Sequence, residues 1–246
     1  MGEAVVEAGG IVYALDRLPE PSDDFLAAQN RIDPATTAGS LHYRRVDVSN
    51  NKDLNDVITS TADEHGKLNG AIAAAGIQQL TPAIDYTPAD AARMLQVNYT
   101  GVLMTAQACA RSILKHKTPD ASLVLIASMS GLIANKGLLS PVYNSSKAAV
   151  IQLARNLAME WSKPRDDDGV PGIRVNCLSP GHIVTPMVER NFEEVEGLRE
   201  MWEEANMMGR LSRPQEFGGA GVFLLGRASS FMTGSNLVID GGHTAW

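Results

Sequence analysis

An α/β fold, a doubly wound parallel sheet with helices on both faces, is predicted by three features of the sequence. Short runs rich in aliphatic residues, Ile11–Leu15, Leu41–Val46, Gly70–Ala75, Ser122–Ala127, Ile173–Leu178 and Leu237–Asp240, recur along the chain. Helical stretches long enough for a crossover separate them, and crossovers join parallel rather than antiparallel neighbours. Gly70–Ala75 and Ser122–Ala127 are apolar without strict alternation, as strands covered on both faces must be.

Each element has a local cause. Met1–Ala8 reads as the end of an amphipathic helix, because Ala4, Val5 and Ala8 share a face and Gly9-Gly10 supplies a left-handed stop. The first two strands end in Asp16 and Asp47. Ser49 is placed to cap a polar helix running to His65. Ala89–His116 and Tyr143–Trp161 are long helical stretches. Pro186–Pro214 is acidic and helical, with Met187, Phe192, Trp202, Met207 and Met208 among its Glu residues. It reads equally as a lid or as a helix pair packed on the core. Arg165–Gly172, rich in Asp and Pro, reads as a solvated loop. With no repeat or linker, residues 1–246 form one domain.

Composition excludes several functions. The formal charge is -7, without a basic cluster to follow a phosphate backbone, so nucleic acid is not an expected partner. Cys109 and Cys177 are the only cysteines, each in an apolar setting, so neither a disulfide framework nor a metal site is expected. No stretch has the length and apolarity of a membrane span or a leader, and a cytoplasmic protein is expected.

The chemistry gathers just past the strand ends, where open α/β sheets bind ligands. Tyr143 and Lys147 stand at i and i+4 of a helix, hence on one face, where an ammonium would favour the phenolate of a tyrosine whose free pKa is about 10. Such a pair is a general acid/base. Upstream, Ile126-Ala127-Ser128-Met129-Ser130-Gly131 sets hydroxyls beyond a buried strand, able to donate to a carbonyl or alkoxide.

The serine segment, Tyr143-x-x-x-Lys147, Asn98-x-x-Gly101 and Pro180-Gly181 resemble, in order and rough spacing, the motifs of short-chain dehydrogenases/reductases. The resemblance covers nearly the whole chain. It implies a Rossmann-like fold and a catalytic set of Asn98, Ser128, Tyr143 and Lys147, with Ser130 as the fallback for Ser128. Asn98 would hold a water that continues a proton relay from Lys147. Ala75 and Gly76 would line the coenzyme, Pro180-Gly181 would lead to the nicotinamide, with Ile183 offering backbone contacts and Thr185 a hydroxyl, and His182 would be incidental. Lys147 would also bind the nicotinamide ribose beside Tyr143. Asp16 would accept bonds from the adenosine ribose, favouring NAD(H) over NADP(H), which the neighbouring Arg17 keeps possible. Asp47-Val48 would flank the adenine. The Asn144-Ser145-Ser146 run and the Ser128 segment are similar to those of fungal sugar-alcohol dehydrogenases and sorbose reductases, implying an alcohol or ketone substrate of polyol or ketose type and, by analogy, a homodimer or homotetramer.

Two departures from that family stand out. Its first strand and Gly-rich turn have no counterpart before Ala8, so the domain is expected to be N-terminally incomplete, with the strands flanking the missing one left with open edges. Ala73-Ala74-Ala75-Gly76 stands where the family often has two Asn before Ala-Gly. The competing expectation is therefore a scaffold without redox activity, serving in binding or oligomerisation.

Overall fold

The structure is a computed structural model that describes residues 1–33, 35–164 and 169–246. In chain order the regular elements are α1 (Gly2–Glu7), β1 (Ile11–Asp16), α2 (Asp23–Arg31), β2 (Ser40–Arg45), α3 (Asn51–His65), β3 (Gly70–Ala73), α4 (Pro88–Leu95), α5 (Val102–Lys115), β4 (Ser122–Ile126), α6 (Pro141–Trp161), β5 (Arg174–Pro180), α7 (Pro186–Glu194), α8 (Leu198–Glu204), α9 (Gly218–Leu225) and β6 (Asn236–Ile239). The fold is the α/β Rossmann-like arrangement expected. Every strand pair is parallel, and the strands form two sheets, β1-β2 and β3-β4-β5-β6. Among the described residues no strand pairs one sheet with the other.

Helices tie the two sheets together. Ala73 of β3, Val46 after β2, Leu54 and Ile58 of α3, and Val102, Ala106 and Ile113 of α5 share one buried cluster. Cys109 and Cys177 lie in the same cluster, where burial pushes both thiols up to about 12. On the opposite side α1 lies across α9, whose glycines leave room for it. A Cβ on Gly218 would stand 3.0 Å from that of Ala4, and one on Gly221 would stand 3.2 Å from Met1.

Several local expectations are corrected. Asn50, not Ser49, caps α3, its side chain accepting the N–H of Asp53, while Ser49 is drawn to Asp47. The stretch Ala89–His116 is helical throughout but contains a π-helical turn, Gln96–Gly101, between α4 and α5. The acidic segment forms α7 and α8, which pack on the body through Leu138, Leu198, Trp202 and Leu211. Of the loop expected at Arg165–Gly172, Arg165–Asp168 lie outside the described residues. No described helix is long and apolar enough to cross a membrane.

Candidate active site

The hydroxyl turn after β4 is seated on α6 by an absent side chain. Ser128 caps the 3₁₀ turn Met129–Gly131, its Oγ accepting the N–H of Ser130 at 3.1 Å. Gly131 then approaches α6 so closely that a Cβ would stand 2.7 Å from the Ala148 nitrogen and 2.8 Å from the Lys147 carbonyl carbon. Pro141 opens α6 where a missing N–H costs nothing, and Tyr143 and Lys147 follow within two turns. Ser128 and Tyr143 line one small cavity, together with Gln78, His182 and Asn191. Ser130 also borders it, its Oγ accepting the Asn135 Nδ2 at 3.0 Å, so each serine accepts one bond and keeps its own proton to donate.

The electrostatics differ from the expectation at one point. Burial raises the Tyr143 phenol above its ordinary value, while the nearby Ser128 hydroxyl works in the opposite direction. The Lys147 ammonium is directed elsewhere. Its Nζ donates to the Ile126 carbonyl at 2.9 Å and lies 5.7 Å from the Tyr143 ring centroid. Being buried itself, Lys147 is lowered to about 8. Desolvation therefore governs both groups, and the ammonium is turned to a main-chain carbonyl one helical turn behind the phenol.

Asn98 is fully buried in the π-helical turn, and its side chain works as a clip. Oδ1 accepts the Ile77 N–H at 2.8 Å, and Nδ2 donates to the Ile77 carbonyl at 2.9 Å and to Ser146 Oγ at 3.1 Å. Three residues on, Gly101 makes room for the loop after β2, since a Cβ there would stand 2.8 Å from Val48 Cγ2. The Asn-x-x-Gly spacing thus draws the chain after β3 and the chain after β2 onto one helix. Lys147 Nζ and Asn98 Oδ1 both face Gly76, at 3.5 and 3.6 Å from where its Cβ would be.

Along the remaining rim, Asp16 Oδ1 accepts the Leu18 N–H at 3.0 Å, and the side chain is exposed. Asp47 accepts both the N–H and the hydroxyl of Ser49, which lower its carboxyl below the usual range. Ala75 is exposed beside Gly76. Pro180 ends β5, and Gly181 donates to the Ile239 carbonyl at 2.8 Å, packing so tightly that a Cβ would come within 2.6 Å of Asp240 Cα. Ser212 pins the next residues. It donates to the His182 carbonyl and accepts from Val184, so the N–H and C=O of Ile183 face the other way. Thr185 caps α7, its Oγ1 accepting the Val188 N–H and keeping its own proton to donate.

Three cavity residues went unread in the sequence. Asn191 of α7 donates to Gln78 Oε1 at 3.0 Å, joining the helix to the rim. His182, set aside as incidental, is buried, stacked on Trp202 with centroids 3.6 Å apart and planes 10° from parallel. His243 meets it edge-on at 5.0 Å, and neither ring nitrogen of His182 has a hydrogen-bond partner among the described residues. Burial lowers the imidazole to about 3, so the ring is neutral at physiological pH. Leaving such a group unpaired costs about 1–3 kcal/mol. The signal available was position alone: Gln78 and His182 each lie within two residues of a glycine at a strand end.

With this geometry in view, the chain matches the family described as Enoyl-(Acyl carrier protein) reductase over residues 8–244. It is 39% identical to the NADH-dependent L-xylulose reductase of Ambrosiozyma monospora, over 81% of this chain and 72% of that protein. It is 36% identical to the galactitol 2-dehydrogenase of Rhizobium johnstonii, over 99% of this chain and 89% of that protein. A crystal structure of a short-chain type dehydrogenase/reductase from Mycobacterium marinum superposes with a TM-score of 0.86 at 33% identity, covering 100% of this chain and 90% of the other. The chain belongs to the short-chain dehydrogenase/reductase family. As a member it is an NAD(P)-dependent oxidoreductase of alcohols and ketones. The scaffold alternative finds no support among these relatives. The family match, which runs over residues 8–244, does not bear out the expected truncation. The division of the strands into two sheets stands as an observation about the strands alone.

Proposed function

We infer that this short-chain dehydrogenase/reductase interconverts a polyol and its ketose, using NAD(H) in preference to NADP(H), as a soluble cytoplasmic enzyme. The observation that carries the reading is the meeting of Ser128 and Tyr143 in one cavity at the strand ends, with Lys147 one turn behind. L-Xylulose, named for one relative, is a ketose, and galactitol, named for another, is a polyol.

The residues present fit two parts of a nicotinamide coenzyme. Outward-facing backbone groups of Ile183 and the donor hydroxyl of Thr185 suit a carboxamide, Lys147 suits the adjoining ribose, and Pro180 and Gly181 fix the approach. Asp16 suits the adenosine ribose, Asp47 and Val48 suit the adenine, and Ala75 and Gly76 suit the stretch of coenzyme beside them. A carboxylate at Asp16 repels a 2′-phosphate, which is the ground for preferring NAD(H). When bound, the nicotinamide gives or takes the hydride at the carbinol carbon.

The chain's own residues handle the oxygen and its proton. Ser128 Oγ–H donates to the carbonyl oxygen and holds it beside Tyr143. Tyr143 Oη–H passes its proton to that oxygen as the carbonyl becomes an alcohol, and takes one back in the reverse direction. Burial keeps the phenol protonated through neutrality, which suits reduction. Lys147, charged below about 8, steadies the phenolate left behind, and Asn98 Oδ1, on the same face of Gly76, continues the relay through a water. Residues 186–214 serve as the substrate cover, with Asn191 bonded to Gln78 at the cavity wall. The exposed outer face of α6, which includes Met159, supports a homodimer or homotetramer.

Tyr143→Phe removes one oxygen and is expected to lower kcat for ketose reduction on the order of 10²- to 10⁴-fold with an unchanged melting profile. Undiminished turnover by the folded variant would sink this mechanism.

A further inference from the structure

We propose that His182 reads a substrate hydroxyl next to the reacting carbon and so makes the site selective for polyhydroxylated substrates. This deepens the polyol reading and rests on it. His182 lines the same small cavity as Ser128 and Tyr143. Its ring is held rigidly from three directions. Trp202 covers one face, His243 meets it edge-on, and Ser212 takes the His182 carbonyl with both its N–H and its hydroxyl.

What that rigid ring presents is unused. Both nitrogens are buried with no partner among the described residues, although the surrounding polar groups of the cavity, Gln78 and Asn191, are bonded to each other. Buried polar atoms in folded proteins almost always find partners, so an exception at a cavity wall marks a group kept for a ligand. A neutral imidazole offers one donor and one acceptor. A hydroxyl has the same pair of capacities, whereas a methylene has neither. The low proton affinity of the ring keeps this dual character across the working pH range. A site built to bond a hydroxyl rejects an analogue without one far more strongly than an apolar pocket can discriminate by size.

The experiment compares His182→Phe, which keeps a flat ring for Trp202 but lacks both nitrogens, with the unaltered chain. A pentulose and 2-pentanone serve as ketones, with NADH as reductant. The ratio of their kcat/KM values should shift roughly 10- to 100-fold toward 2-pentanone, the scale of one lost hydrogen bond to a buried group. Parallel losses on both ketones, or an unchanged ratio, would overturn the proposal and leave His182 a packing residue. A measurement independent of turnover separates this proposal from the polyol reading. In ¹⁵N-imidazole-labelled chain, the His182 nitrogen resonances should shift on titration with the pentulose but not with 2-pentanone. Shifts without turnover would refute the polyol–ketose reading while upholding hydroxyl recognition, and no shift in a folded sample would refute recognition itself.

Discussion

The two sheets are built to different standards. In β3-β4-β5-β6, β4 is buried along nearly its whole length and β5 wholly so apart from Arg174, with Leu123, Val124, Leu125, Val175, Cys177 and Leu178 at 1% exposure or less. In β1-β2 most positions are half-buried or exposed, and the cluster beneath is small, centred on Val6, Ala28 and Leu41. Surface contacts supplement it, among them the Arg31–Glu3 and Arg44–Glu64 pairs, of a kind worth about 0–1 kcal/mol each. The hydroxyl chemistry therefore stands on a deep core, while the acidic groups assigned to adenosine stand on a shallow one. Proton transfer needs positions held to fractions of an ångström, and coenzyme preference needs only a charge in the right place.

The comparison can be broken most directly by cavities. Leu123→Ala in β4 should cost near the upper end of the roughly 2–5 kcal/mol spanned by buried Leu→Ala changes, and Leu41→Ala in β2 near the lower end. Chemical denaturation of both variants would measure this, and equal losses would erase the distinction. A second test asks whether the shallow sheet sets coenzyme choice. Asp16→Ser should move the ratio of kcat/KM for NADH over NADPH about tenfold toward NADPH, with kcat little altered, since tenfold corresponds to a single modest charge interaction.

The smallest effect concerns pH. Because Tyr143 is raised, its phenolate is populated only as pH climbs toward that raised value. Alcohol oxidation should therefore still be gaining rate at alkaline pH, while ketone reduction should be level through neutrality and decline as Lys147 loses its proton above about 8. Rates followed in both directions from pH 6 to 10 would check this, and an oxidation profile that levels off near neutrality would contradict the raised phenol.

Much of this was legible because burial and spacing leave direct marks on a sequence. The apolar run of β4, the turn at Ser128 and the i, i+4 spacing of Tyr143 and Lys147 all survive in the structure. Readings failed where the outcome depended on contacts distant in sequence. The segment Gly218–Leu225 carries too many glycines to announce a helix, and its reason for forming one is the close passage of α1. The unused nitrogens of His182 could not be foreseen, because only the folded arrangement of Trp202, His243 and Ser212 decides what a histidine is denied.

The π-helical turn at Gln96–Gly101 also fixes a phase. Such a turn holds one residue more than the α-helical ladder would, and each residue of an α-helix advances roughly 100° around its axis. Deleting a single residue here would leave a regular, longer helix, yet it would rotate α4 against α5 by about that angle. Asn98 could then face Ile77 or Gly101 could face Val48, but not both. The surplus residue is thus a timing element, and the length of this stretch is constrained more tightly than its composition.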